Sequence, residues 1–187
     1  MDILDRIKLY LDFVCPHYVE RDVGHNYSHI ERIVSRLNAL CDGLSGPLNT
    51  DRLCFLAAFH GLWPKIRDDS SFRAETIAFL QGLGWSDADV ENGLTALERH
   101  LHSPQSPEED IVHDANYIEV IGALGIAKAF TVGGARAQSY EQTIDIYTGN
   151  LHKVKFKTPA GKRMADEGRP FAKQFLEHLR RELQILP

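Results

Sequence analysis

Nine histidines in 187 residues raise the question of chemistry before any fold is considered, and their placement says more than their number. His25 and His29 lie four apart at a helix start, His60 closes the apolar run "FLAAFH", His100 and His102 flank Leu101, and His113 precedes Asp114. Imidazoles and carboxylates drawn from separate helices are how a helical bundle builds a metal site in its interior. Imidazole suits zinc, iron or manganese, and a mixed nitrogen and oxygen shell with open positions lets the ion acidify a bound water. Any one of these histidines alone is more often a surface or satisfied core residue, so the weight falls on the set.

The elements that must position them read as helices. Ile3, Ile7, Leu11 and Val14 recur at helical spacing, giving an amphipathic helix over 2–14 that stops before Pro16. A second spans 28–41, burying Ile30, Ile33, Leu37 and Leu40 and ending at Asp42-Gly43. Thr50 caps a third, whose run Leu53, Phe55, Leu56, Ala57, Ala58, Phe59 leaves few polar positions and makes it central. Helices fit 71–82 and, after the cap candidate Ser86, 87–101. Ser106-Pro107 and two glutamates open the next, which runs through "EEDIVHDANYIEVIGALGIAKAF" with breaks expected at Gly122 and Gly125. Segments 138–154 and 158–184 complete the set, the latter opening on Thr158-Pro159, and the glycine pair of "TVGGARAQ" reads as a hinge. No alternating strand pattern and no fixed-period repeat is present, so the expected fold class is all-α, in one domain over 1–187.

Composition narrows the function classes. A formal charge of −5, from 21 basic and 26 acidic residues, argues against a domain whose main partner is the phosphate backbone of nucleic acid. Lys153, Lys155, Lys157, Lys162 and Arg163 form a local basic run, read first as a solvated helix junction and second as a face for phosphates. Cys15, Cys41 and Cys54 have no zinc-type or redox-type spacing and read as reduced core residues. The first stretch carries acids, and no run reaches the roughly 18 apolar residues of a membrane span, so a cytoplasmic protein without a membrane partner is expected. Oligomeric state is not legible.

A resemblance sharpens this. "HNYSHIERIVSRL", "LAAFHG" and "IVHDANYIEVIGALGIAKAF", in that order and spacing, resemble the three signatures of the HD superfamily of metal-dependent phosphohydrolases. The likeness continues through "AFTVGG" to "FKTPAGKRMADEGRPFAKQFLEHLRREL", covers about 20–183, and resembles the branch of small stand-alone bacterial HD proteins for which nucleotide pyrophosphohydrolase activity has been described. It implies an HD-domain-like helical bundle with the helix 2–14 packed on that core. Position by position it makes His29 the first metal histidine, His60 the histidine of the HD pair and Asp114 the distal metal aspartate, with His25 serving substrate or proton transfer. The implied ion is divalent: manganese, magnesium, zinc or iron.

The departure is Gly61, which stands where the family has its name-giving aspartate. A glycine offers no oxygen, so an ion would rest on two neutral imidazoles and one carboxylate. Outer-shell changes alone cost about 10- to 100-fold in affinity, and deleting an anionic ligand costs at least that. Two histidines and one carboxylate is nevertheless a known catalytic ligand set. Asp68, Asp69 or Glu119 could substitute for the missing acid, or Lys65 could place its ammonium where the ion's charge would lie and neutralise Asp114. Trp63 could fill space left by acids, His102 lies near a family second-metal position, and His113 is expected on the surface. Three readings follow: a degenerate HD domain that binds a phosphorylated or nucleotide-like small molecule, an active mononuclear phosphohydrolase, or a protein-interaction module.

Overall fold

The computed structural model describes residues 3–19 and 24–185, with side chains from residue 6 to residue 184. Asp2, the first residue of the expected N-terminal helix, lies outside the described residues. Among the described residues there is no strand; the elements are α1 (Ile3–Val14), a 3₁₀ turn (Cys15–Tyr18), α2 (Tyr27–Leu40), α3 (Thr50–Phe59), α4 (Trp63–Asp68), α5 (Ser70–Gly82), α6 (Asp87–Arg99), α7 (Pro107–Tyr117), a second 3₁₀ turn (Ile118–Val120), α8 (Gly122–Ala135), α9 (Tyr140–Lys153) and α10 (Pro159–Ile185). The chain is all-α, and no single described helix is long and apolar enough to cross a membrane.

Residues cluster into two compact units, 1–37 with 45–113, and 38–44 with 114–187. In the first, α1 packs on α3, α3 on α6, and α5 on both α4 and α6. The α1 stripe is Ile7, Tyr10 and Val14, all under 3% exposed; Leu11, expected inside, is half-buried, because Tyr10 takes the face one residue earlier. Every residue of α3 from Leu53 to Phe59 is buried, so this helix is central. Its N-cap is Asn49, whose side chain accepts from Arg52 N, while the expected cap Thr50 is the first helical residue. Phe13 stacks on Phe79 at 4.2 Å and lies 5.7 Å from Phe59, so two half-buried rings cover the fully buried one.

In the second unit α8 packs against both α9 and α10, around Ile121, Ile126, Ile144, Tyr147, Leu151, Ala172 and Leu176. The segment after α9 alternates: Val154, Phe156 and Thr158 are buried while Lys155 and Lys157 are exposed. The break before α8 falls at Gly122, whose φ of +66° an L side chain rarely adopts. The second expected break does not occur. Gly125 lies inside α8, where an added Cβ would be 2.5 Å from the Val120 carbonyl carbon, so this glycine serves close packing. The "TVGGARAQ" pair is likewise no hinge: both glycines are within α8, and a Cβ on Gly133 would meet Thr143 Oγ1 at 2.3 Å.

Candidate functional site

α3 delivers His60 as its C-terminal cap, 8% exposed, at the end of the buried apolar run Leu53 to Phe59. Tyr18 from the first 3₁₀ turn secures this end, its hydroxyl donating to Ala58 O at 3.0 Å and accepting from Gly61 N at 3.3 Å. α2 brings His29, 1% exposed, whose ring meets that of His60 edge to face at 5.5 Å. The exposed His25 stands edge to face with His29 at 5.8 Å. On the other side of His60 is His100, 1% exposed, the C-cap of α6. Its Nε2 is 2.8 Å from His60 Nδ1, and its own Nδ1 is 2.7 Å from Leu97 O. Burial pushes His100 down to about 4, so the ring is neutral at physiological pH.

The structure thus gathers His25, His29 and His60 and adds His100, which the sequence flagged only as a neighbour of His102. The signal was present: Val90, Leu94 and Leu97 are the buried face of α6, and His100 continues it one turn on, whereas His102 is exposed. His113 is 6% exposed, against the expected surface position. The reason is α7 itself, which is buried from Ile111 through Ala115 and has no wet face there.

Asp114, in the second unit, is fully buried. Oδ1 accepts from Lys157 N at 3.0 Å, and Oδ2 accepts from Lys157 N at 3.0 Å, Thr158 N at 2.8 Å and Thr158 Oγ1 at 2.8 Å. Thr158 Oγ1 in turn accepts from Gly161 N at 2.9 Å. The carboxylate therefore sits at the positive end of the 27-residue α10, where an anion and unsatisfied backbone donors complement each other. Gly161 is required by this arrangement: a Cβ there would be 2.3 Å from Asp114 Oδ2.

The other candidates are engaged elsewhere. Lys65 Nζ is 2.9 Å from His17 Nδ1 and 4.7 Å from the centre of the Phe72 ring. Burial, then the Lys65 charge, lowers the pKa of His17, which favours a neutral ring that accepts a hydrogen bond from the Lys65 ammonium. Asp68 pairs with Arg67 on the surface, Asp69 caps α5 by accepting from Ser71 N and Phe72 N, and buried Glu119 pairs with Lys128 at 2.9 Å. None of these three acids takes the place of the missing aspartate. Trp63 opens α4 half-buried.

The fold family implies a divalent ion, and the chemistry of the residues at the family positions does not fit one. Gly61 has no side-chain ligand atom, and both Asp114 oxygens accept from the backbone of Lys157 and Thr158 just ahead of α10. Among the described residues no group of three His, Cys, Asp or Glu side chains could hold a metal. Two cavities lie away from the histidines: one of about 120 Å³ beside Asn49, Arg52 and Trp85, and one of about 360 Å³ beside Ile118, Met164 and Phe171.

No family model matches the chain. The uncharacterised protein YpgQ of Bacillus subtilis is 31% identical over 86 residues, 43% of this chain, and the chain spans 42% of the length of that curated relative. Solved structures similar to it include the Lin1889 protein of Listeria innocua (TM-score 0.77, 22% identity, all of both chains). A HD-superfamily hydrolase of Bacillus thuringiensis matches with a TM-score of 0.72 at 20% identity over 98% of this chain and all of that one. Bacillus subtilis YpgQ in complex with ADP matches with 0.69 at 19% identity over all of both chains. These likenesses, with the ordered histidine and aspartate motifs, give the chain its place: it has the fold of an HD-superfamily domain.

Proposed function

We propose that this chain is an HD-type domain that binds a nucleotide-like or otherwise phosphorylated small molecule and does not turn it over by metal-dependent hydrolysis. The observation that carries this reading is the fate of the two carboxylates the family route needs: one is replaced by Gly61, and the other, Asp114, accepts from two backbone N–H groups and a hydroxyl at the start of α10. A carboxylate so held is already stabilised without an ion. The ligand class is supported by the ADP bound to a protein of the same fold.

The test is calorimetric titration of the full chain with ADP in the presence of EDTA, beside a nucleotide and phosphoester panel with manganese, magnesium or zinc added. Binding that survives EDTA, with no turnover in the panel, is expected. Metal-dependent turnover that disappears in His60→Ala would overturn the reading. One observation favours that second reading, an active mononuclear phosphohydrolase: His29 and His60 do come together, at 5.5 Å.

A further inference from the structure

The 3₁₀ turn Cys15–Tyr18 is fastened to neighbouring helices at two adjacent residues. Tyr18 reaches the end of α3, where its hydroxyl donates to Ala58 O and accepts from Gly61 N. His17 reaches α4, where its Nδ1 lies 2.9 Å from Lys65 Nζ. An ammonium has three donors and no acceptor, so Lys65 donates and His17 Nδ1 carries no proton. The ring is therefore neutral, with its proton on Nε2. Aromatic neighbours hold both partners in place. The centre of the Phe72 ring, from α5, lies 4.4 Å from the His17 ring centre and 4.7 Å from Lys65 Nζ, and Phe13 of α1 lies 6.2 Å from the His17 ring centre.

This contact holds in only one protonation state. A proton added at Nδ1 removes the acceptor and sets two cations against each other at hydrogen-bond distance. The charged groups that act on His17 are Lys65 of α4, which opposes that proton, and Glu75 of α5 and Asp69 at its N-cap, which favour it. Both acids are engaged, Asp69 with Ser71 N and Phe72 N, and Glu75 with Ser71 Oγ at 3.2 Å, whereas Lys65 touches the ring. We infer that the His17–Lys65 contact is a pH-operated latch: closed while His17 is neutral, it holds the Cys15–Tyr18 turn on α4, and it opens when His17 takes up a proton. The turn it releases carries Tyr18, so the device lies one residue from the hydroxyl that secures the end of α3. The working range follows from the sign. Burial, then the Lys65 charge, holds His17 below its ordinary 6.5, so the stability contributed by the neutral ring is complete above that value and is lost as the pH falls through the folded one.

The latch is independent of the ligand proposal, because it is measured on the protein alone. The full chain is labelled with ¹⁵N-histidine and its two-bond ¹H–¹⁵N correlations are followed through an acid titration, with His17→Gln supplying the assignment. At neutral pH His17 is expected to show a pyrrole-type Nε2 and a pyridine-type Nδ1. Its midpoint is expected to lie below the one it has in Lys65→Met, where the charge is gone. In His17→Gln the amide oxygen still accepts from Lys65 but does not titrate, so this variant is expected to match wild type in urea denaturation near pH 7.5. Between there and about pH 5 the unfolding equilibrium constant of wild type is expected to rise about threefold relative to His17→Gln. Over the same range, hydrogen exchange of the turn amides, corrected for its intrinsic pH dependence, is expected to quicken in wild type and not in His17→Gln. A wild-type His17 proton on Nδ1 at neutral pH, or a midpoint no lower than in Lys65→Met, overturns the inference. So does a stability difference between wild type and His17→Gln that is the same at every pH.

Discussion

His60 and Asp114 are both buried polar residues that the HD pattern marks as metal ligands, and the protein satisfies them by opposite means. Asp114 is met by donors of the main chain: its oxygens hold Lys157 N, Thr158 N and Thr158 Oγ1, and the group has become part of how α10 begins. His60 is met by another side chain, His100, in a ring-to-ring contact of 2.8 Å. One is held by the main chain at the start of a helix, and the other by a neighbouring ring.

The sharpest way to break this contrast is Asp114→Ala. It strands two backbone N–H groups and a hydroxyl inside the protein, so about 4 kcal/mol of stability is expected to be lost in urea denaturation. If Asp114 were instead a carboxylate waiting for an ion, its removal would cost little or even stabilise. Gly161→Ala attacks the same anchor by crowding, since the new methyl would be 2.3 Å from Asp114 Oδ2, and a loss of about 2–3 kcal/mol is expected.

Glu109 sharpens the comparison with a buried carboxylate held by a side-chain cation. Burial alone would push its carboxyl up, but Arg99, at 2.8 and 2.9 Å, and Gln105 N–H outweigh this and hold it below its ordinary value. A depressed carboxyl contributes stability that is present above its unfolded pKa and lost as pH falls through the folded one. Glu109→Gln is expected to cost about 2 kcal/mol near neutral pH, and the gap from wild type is expected to close as the pH is lowered below about 4.5. A gap constant with pH would mean the charge is not what matters. The smallest effect belongs to Tyr147, whose buried hydroxyl has no hydrogen-bond partner among the described residues. Tyr147→Phe removes a cost and no bond, so thermal denaturation is expected to show stability unchanged within about 0.5 kcal/mol or slightly raised.

Much of this was legible in the sequence, for reasons that particular residues make plain. Ile30, Ile33, Leu37 and Leu40 are buried as their spacing requires, and Ser86 and Thr158 start helices as their side-chain chemistry requires. The six-residue α4 was missed because it is too short to show a period, with Pro64 in its first turn as the one clue. Gly125 and Gly133 misled, since a glycine needed for close approach reads the same in a sequence as one needed for a turn. At the site, the histidines could be named but their partners could not. Nothing in the letters says that Lys65 meets His17, that Glu119 meets Lys128, or that Asp114 meets Lys157 and Thr158, because each pairing is set by tertiary packing.

The most direct measurement is the metal content of the full chain purified without chelator, read by elemental analysis before and after equilibration with excess manganese or zinc and gel filtration. A chain whose carboxylates are one replaced and one built into α10 should retain far less than one divalent ion per molecule under both conditions. One ion per molecule that stays bound through gel filtration, and is lost in His60→Ala, would contradict the account.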